Sequence, residues 1–214
     1  MFVEFRMEGK RARVVAIDHL SQFLESAIHS FLRARAIYPR ESFVKRKRLG
    51  LTVWSCEIAR KYVSTFVKSL SQALLVDRVN AIIIRLATER FVIEIPADFS
   101  RNVFYANPSI SNRTDLDISC LCVDVLSESL GAIERRLAMC PPRTRSDLSE
   151  WELFVDVKPI QPGADSIDVP IGSTVVSPQE EVFFRDASHF VRYPLKSSVL
   201  NEQVLVAAYV DIHR

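Results

Sequence analysis

Glycine is scarce in this chain, with only Gly9, Gly50, Gly131, Gly163 and Gly172. No two of them stand close enough to build a GxGxxG turn or a P-loop, which excludes nucleotide binding by those routes. The four cysteines, Cys56, Cys120, Cys122 and Cys140, form no CxxC pair. They lie in or beside apolar segments and are expected as buried, reduced thiols of an intracellular protein, not as disulfides or zinc ligands. No GxSxG elbow occurs, no histidine lies near Cys56 in sequence, and the carboxylates are scattered among basic residues. The expectation is therefore no catalytic cluster, no metal and no cofactor. No run approaches the roughly 20 apolar residues that cross a bilayer. Glu4, Arg6, Glu8, Lys10 and Arg11 interrupt anything like a signal peptide. Excess charge is missing too: 28 basic against 26 acidic residues leave +2, so attraction to nucleic acid or an anionic membrane must be local if it exists. A soluble protein that is not secreted is expected.

What is present suffices for one domain, since 214 residues at 48% hydrophobic content can bury a real core. Ile17, Leu20, Leu24, Ala27, Ile28 and Phe31 recur at helical spacing and predict a first helix from about Arg13 to Tyr38, ended by Pro39. Residues 1–12 read as an extension, a frayed tail or an edge strand through Phe2, Val3 and Phe5. His19 and His29, ten residues apart, lack metal-site spacing and are expected on the surface or flank of the helix. Two short extended segments follow, Phe43 to Arg48 and Leu51 to Cys56, separated at Gly50. Lys45, Arg46, Lys47 and Arg48 form the only dense basic patch. It suits a nuclear-localisation signal or a phosphate-contacting patch, but a solvated hairpin edge is the better reading.

Ile58, Tyr62, Phe66, Leu70 and Leu74 predict a second helix from Glu57 to about Val76. Val79 to Leu86 and Arg90 to Ile95 predict a hairpin in the middle of a sheet. A polar loop from Ala97 to Thr114 precedes a third helix, whose Leu116, Val123, Leu130 and Leu137 stripe reads as a core face. Trp151 to Lys158 alternates as a strand with one buried face. Pro159 to Glu180 is broken by proline and glycine and is expected to cover the core, and two extended segments close the chain, Val182 to Lys196 and Gln203 to Ile212. The fold class is α+β, three helices on a largely antiparallel sheet.

In this order, the helix, Tyr38-Pro39, Phe43 with Lys45-Arg46-Lys47, Leu51 to Cys56, the helix with Tyr62, the Ile82-Ile83-Ile84 strand and Glu89 to Ile95 together resemble the HORMA domain. The likeness covers Arg13 to Arg214, with 13–158 as core and 159–214 as a C-terminal seat belt. Within that family the chain most resembles the accessory, mitotic-arrest-deficient-like branch of translesion DNA polymerase zeta, on Phe43 to Arg48, Ser55-Cys56 and Pro194-Leu195-Lys196. The resemblance implies a nuclear, non-enzymatic adaptor that captures a proline-containing peptide of the catalytic subunit of a B-family DNA polymerase. On this reading the peptide adds as a strand along Trp151, Leu153 and Val155, packs on Tyr62, and is closed over by the belt near Thr174 and Val175.

A second partner surface, implied for the scaffold deoxycytidyl transferase of translesion synthesis, would use Leu195, Ala207 and Tyr209. Ala207 stands where a glutamine is usual, and Ser173-Thr174-Val175 stands where a belt tryptophan is expected. The resemblance further implies a HORMA-remodelling ATPase as partner and a HORMA dimer, near whose pairing surface Gly131 replaces an arginine. The alternative is a spindle-checkpoint or meiotic HORMA protein that captures a cell-cycle or chromosome-axis peptide. Direct DNA binding through Lys45 to Arg48 is the less favoured reading.

Overall fold

The computed structural model describes residues 2–86, 88–96, 99, 115–141, 151–158, 174–175, 190–200 and 203–213. Most of the expected loop 97–114 and of the region 159–189 lies outside them.

Helix α1 spans Phe2–Ala34, so the extension continues the helix and does not form an edge strand. Its apolar face, from Ala16 to Leu32, is buried completely or nearly so. The helix stops before Tyr38. Ala36 takes a left-handed φ of 51°, while the Ile37 and Ala36 amides bond back to the carbonyls of Leu32 at 3.0 Å and Arg33 at 3.1 Å. That pair of bonds is a Schellman cap, which closes the helix ahead of the proline. It also turns Arg35 inward, where the guanidinium clamps the buried Glu89 carboxylate and donates to the Pro141 carbonyl at 2.8 Å.

Strands β1 (Phe43–Arg48) and β2 (Leu51–Cys56) pair antiparallel as a two-stranded sheet of their own. Their turn is Leu49-Gly50, with φ values of 48° and 72°; two successive positive φ angles match the twist of a tight hairpin. Leu49 is buried, and Val123 lies 3.8 Å from where a Cβ on Gly50 would stand, so the tip of the hairpin packs on the helix that carries Val123.

The second predicted helix is broken. Helix α2 (Arg60–Ser69) and helix α3 (Ser71–Leu75) meet at Leu70. The Ser69 and Ser71 hydroxyls donate to the carbonyls of Phe66 and Lys68 at 2.6 and 2.7 Å. Such hydroxyls compete with the backbone ladder and bend helices.

Among the described residues the main sheet has six strands: β3 (Val79–Arg85), β4 (Glu89–Glu94), β5 (Glu152–Val157), β6 (Thr174–Val175), β7 (Phe190–Leu200) and β8 (Gln203–His213), in the order β6-β5-β3-β4-β8-β7. All pairings are antiparallel except β5 with β6. One face carries Ile82, Ile84, Phe91, Ile93, Leu153, Val155, Val206, Ala208 and Val210 into the core under α1 and helix α4 (Asp115–Leu137). There Phe31 stacks on Phe91 with ring centroids 4.9 Å apart. The opposite face gathers Ala81, Ile83, Val92 and Phe154, with Tyr209 against them. Helix α4 is tied to α1 by Ser30 donating to Glu134 at 2.7 Å and by the 2.8 Å bond between His19 and Ser119. It also meets β7, through Arg136 donating to the Pro194 carbonyl at 3.1 Å.

The cysteines are free; Cys56 and Cys122 are buried, but Cys120 is exposed because it falls on the outer side of α4. No described helix is long and apolar enough to cross a membrane.

Candidate functional site

Among the residues expected at a peptide site, Tyr62 and Trp151 come together from elements 89 positions apart in the sequence. Tyr62 sits on the outer side of α2, 41% exposed, and meets the Trp151 ring edge-on at 5.4 Å between centroids. Tyr38, just beyond the α1 cap, meets the same indole at 6.5 Å, and Trp151 Nε1 donates to the Tyr38 hydroxyl at 2.9 Å. Burial pushes the Tyr62 phenol upward, Glu152 adds to this, and a hydrogen bond to the Leu153 backbone works the other way. The result is a three-ring cluster, with one hydrogen bond between its side chains, at the point where β5 begins. Sequence reasoning did not place Tyr38 at the site, reading it as the end of the first helix and, with Pro39, as part of the family resemblance.

Leu153 and Val155 lie on β5, but their side chains are 1% and 0% exposed in the core. Strand alternation sends them toward the helices, so only their backbone can meet a partner. One side of β5 pairs with β3. On the other side the described pairing is the two-residue β6, with Thr174 opposite Phe154 and Val175 opposite Val155. The structure thus sets Thr174 and Val175 beside β5.

The second expected surface is not one surface. Leu195 is buried at 1% on the helix side of the sheet, since α4 covers β7 there. Tyr209 is on the other face, with Ala207 two positions before it in the same strand. Arg192 lies over the Tyr209 ring at 3.8 Å, and the Tyr209 hydroxyl donates to Glu94 at 3.0 Å. Burial, reinforced by the Glu94 carboxylate, pushes this phenol up to about 12. Beside it Asp211, 1% exposed, accepts from Arg90 at 2.8 Å and Arg192 at 2.9 Å.

The basic run occupies β1, where Arg46 pairs with Glu57 at 2.6 Å and Lys45 lies over Trp54 at 5.2 Å. His29 corrects the expectation of a surface histidine: it is 4% exposed, and its Nδ1 accepts from the Cys56 amide at 3.3 Å. It is buried because the β1–β2 hairpin crosses α1 at this level. Burial, helped by Arg48 and Arg46 against Glu57, lowers its pKa to about 4.

Among the described residues no group of three or more His, Cys, Asp or Glu side chains is placed to hold a metal ion. What the arrangement offers is an aromatic cluster beside a strand whose outer side is paired over two residues, a geometry suited to peptide addition.

No protein-family model matches the chain, and no curated protein matches it. Solved structures do. A chain of a mitotic checkpoint complex aligns over 94% of this chain and 97% of its own, at a TM-score of 0.59 and 14% identity. C. elegans HTP-1 bound to motif-1 of HTP-3 aligns over 91% and 89%, at 0.53 and 10%. HTP-2 of C. elegans bound to a HIM-3 closure motif aligns over 90% and 86%, at 0.52 and 12%. At such identities the shared property is the fold, and this chain has the HORMA fold.

Proposed function

We propose that the chain is a non-catalytic adaptor of translesion DNA polymerase zeta. It captures a proline-containing peptide of the catalytic subunit along β5, and the segment that supplies β6 is displaced to close across it. It works in the nucleus and bridges the polymerase to other damage-tolerance proteins. The single observation that carries this reading is the half-exposed Tyr62 set against Trp151 where β5 begins. Aromatic faces suit proline rings, and an adjacent strand edge supplies backbone hydrogen bonds. Further support comes from structural neighbours described as bound to motifs of other proteins, HTP-1 to motif-1 of HTP-3 and HTP-2 to a HIM-3 closure motif.

Affinity purification of the tagged chain from nuclear extract, washed in high salt and read by mass spectrometry, tests the partner. Recovery of a large B-family polymerase supports the proposal. Recovery of checkpoint or chromosome-axis proteins without it overturns the polymerase assignment and leaves peptide capture standing.

A further inference from the structure

The charge balance of the whole chain conceals a local imbalance. A cleft of about 350 Å³ opens between α1, the β1–β2 hairpin and α2, and it is lined by Arg46, Arg48, Arg60, Lys61 and Lys68. Among the described residues, the one carboxylate lining it is Glu25, 4.0 Å from Arg48. Glu57 is not among them and holds Arg46 at 2.6 Å and Arg60 at 3.8 Å. Even with both carboxylates counted, the cations outnumber them. Ser55, Ser64 and Thr65 bring hydroxyls to the same space, whereas the Ser26 hydroxyl donates to the Gln22 carbonyl at 2.7 Å.

Two further donors belong to it. Arg46 Nε is buried without a hydrogen-bond partner. His29 also lines the cleft; because its Nδ1 accepts the Cys56 amide, its proton sits on Nε2, which is left as a donor. A second cavity of about 450 Å³ adjoins along α1 and shares Glu25, Arg48, Ser64 and Lys68. Convergent guanidinium, ammonium, hydroxyl and imidazole donors are the chemistry that recognises a phosphate group.

We propose that this cleft binds a phosphate monoester, presented as a phosphorylated side chain of a partner or as a small free phosphate compound. Nucleic acid suits it less. A duplex or single strand is held by charge spread along its backbone, whereas these cations converge on one hollow. A single phosphate with the atoms that carry it fits a space of about 350 Å³. The site is separate from the Tyr62–Trp151 cluster in its residues and does not rest on the polymerase reading.

The test titrates the intact protein, at fixed ionic strength, with inorganic phosphate, a phosphoserine peptide with its unphosphorylated twin, and a DNA duplex, followed by two-dimensional NMR. Saturable binding of phosphate is expected, with the His29 imidazole shifting to a higher pKa beside the dianion. Binding of the phosphopeptide but not its twin identifies a protein source, and binding of phosphate alone identifies a small compound. The exposed substitutions Lys68→Glu and Arg48→Glu should each weaken binding by about tenfold or more, while Lys47→Glu, outside the cleft, should leave it within about twofold. Circular dichroism checks that each variant is folded. Three results overturn the site: no saturation by phosphate, equal loss in Lys47→Glu, or DNA bound more tightly than the phosphopeptide.

Discussion

Ala36 holds a left-handed backbone angle that alanine dislikes, at φ 51°. Glycine has no Cβ to crowd the following carbonyl oxygen and adopts the same angle without that clash. Ala36→Gly should therefore raise stability in urea unfolding by about 0.5–1 kcal/mol, although the position is exposed. His29 gives the second residue-scale prediction. Its folded-state pKa lies near 4, against 6.5 ordinarily. Between those values the unfolded chain binds the extra proton, so the stability held by the neutral imidazole is complete above pH 6.5 and is lost as pH falls toward 4. About 2 kcal/mol should be gone by pH 5. Urea unfolding at pH 7 and pH 5 should show that loss in the wild type and not in His29→Gln, which keeps an acceptor for the Cys56 amide. Equal pH dependence in both would mean that His29 is not the group responsible. Neither feature was legible beforehand. Alanine carries no signal for a left-handed cap, and His29 is buried by a hairpin that only the tertiary fold brings across α1.

Elements were easier to read, because periodicity reports burial directly. The stripe from Ile17 to Phe31 and the alternation from Trp151 to Lys158 became α1 and β5. Boundaries failed where local chemistry intervened, as with the serines around Leu70 that divide α2 from α3. Placement failed where topology decided: Leu195 looked available to a partner, yet β7 turns it beneath α4. That placement changes what truncation means. Removing Pro159 onward deletes β8 from its pairing with β4 and takes Leu195, Val206, Ala208 and Val210 out of the core. The shortened chain should lose its cooperative thermal transition as well as peptide capture. A sharp transition retained after truncation, followed by calorimetry, would show that residues 13–158 fold independently of the belt.

On the scale of the whole molecule, the described residues present two candidate places for partners. One is the aromatic cluster that Tyr38, Tyr62 and Trp151 form at β5, brought together from three separated segments. The other is the basic cleft formed where α2 faces β1 across α1. The run Lys45 to Arg48 showed only half of that cleft, because the cations of α2 are spaced along a helix and form no run. Peptide capture at the first place is open to a binding isotherm. Fluorescence anisotropy of a labelled proline-containing segment from the B-family polymerase should show saturable binding to the wild type. Tyr62→Ala, changed at a half-exposed position, should remain folded and bind about tenfold more weakly or worse. Unchanged affinity in that variant would contradict the account.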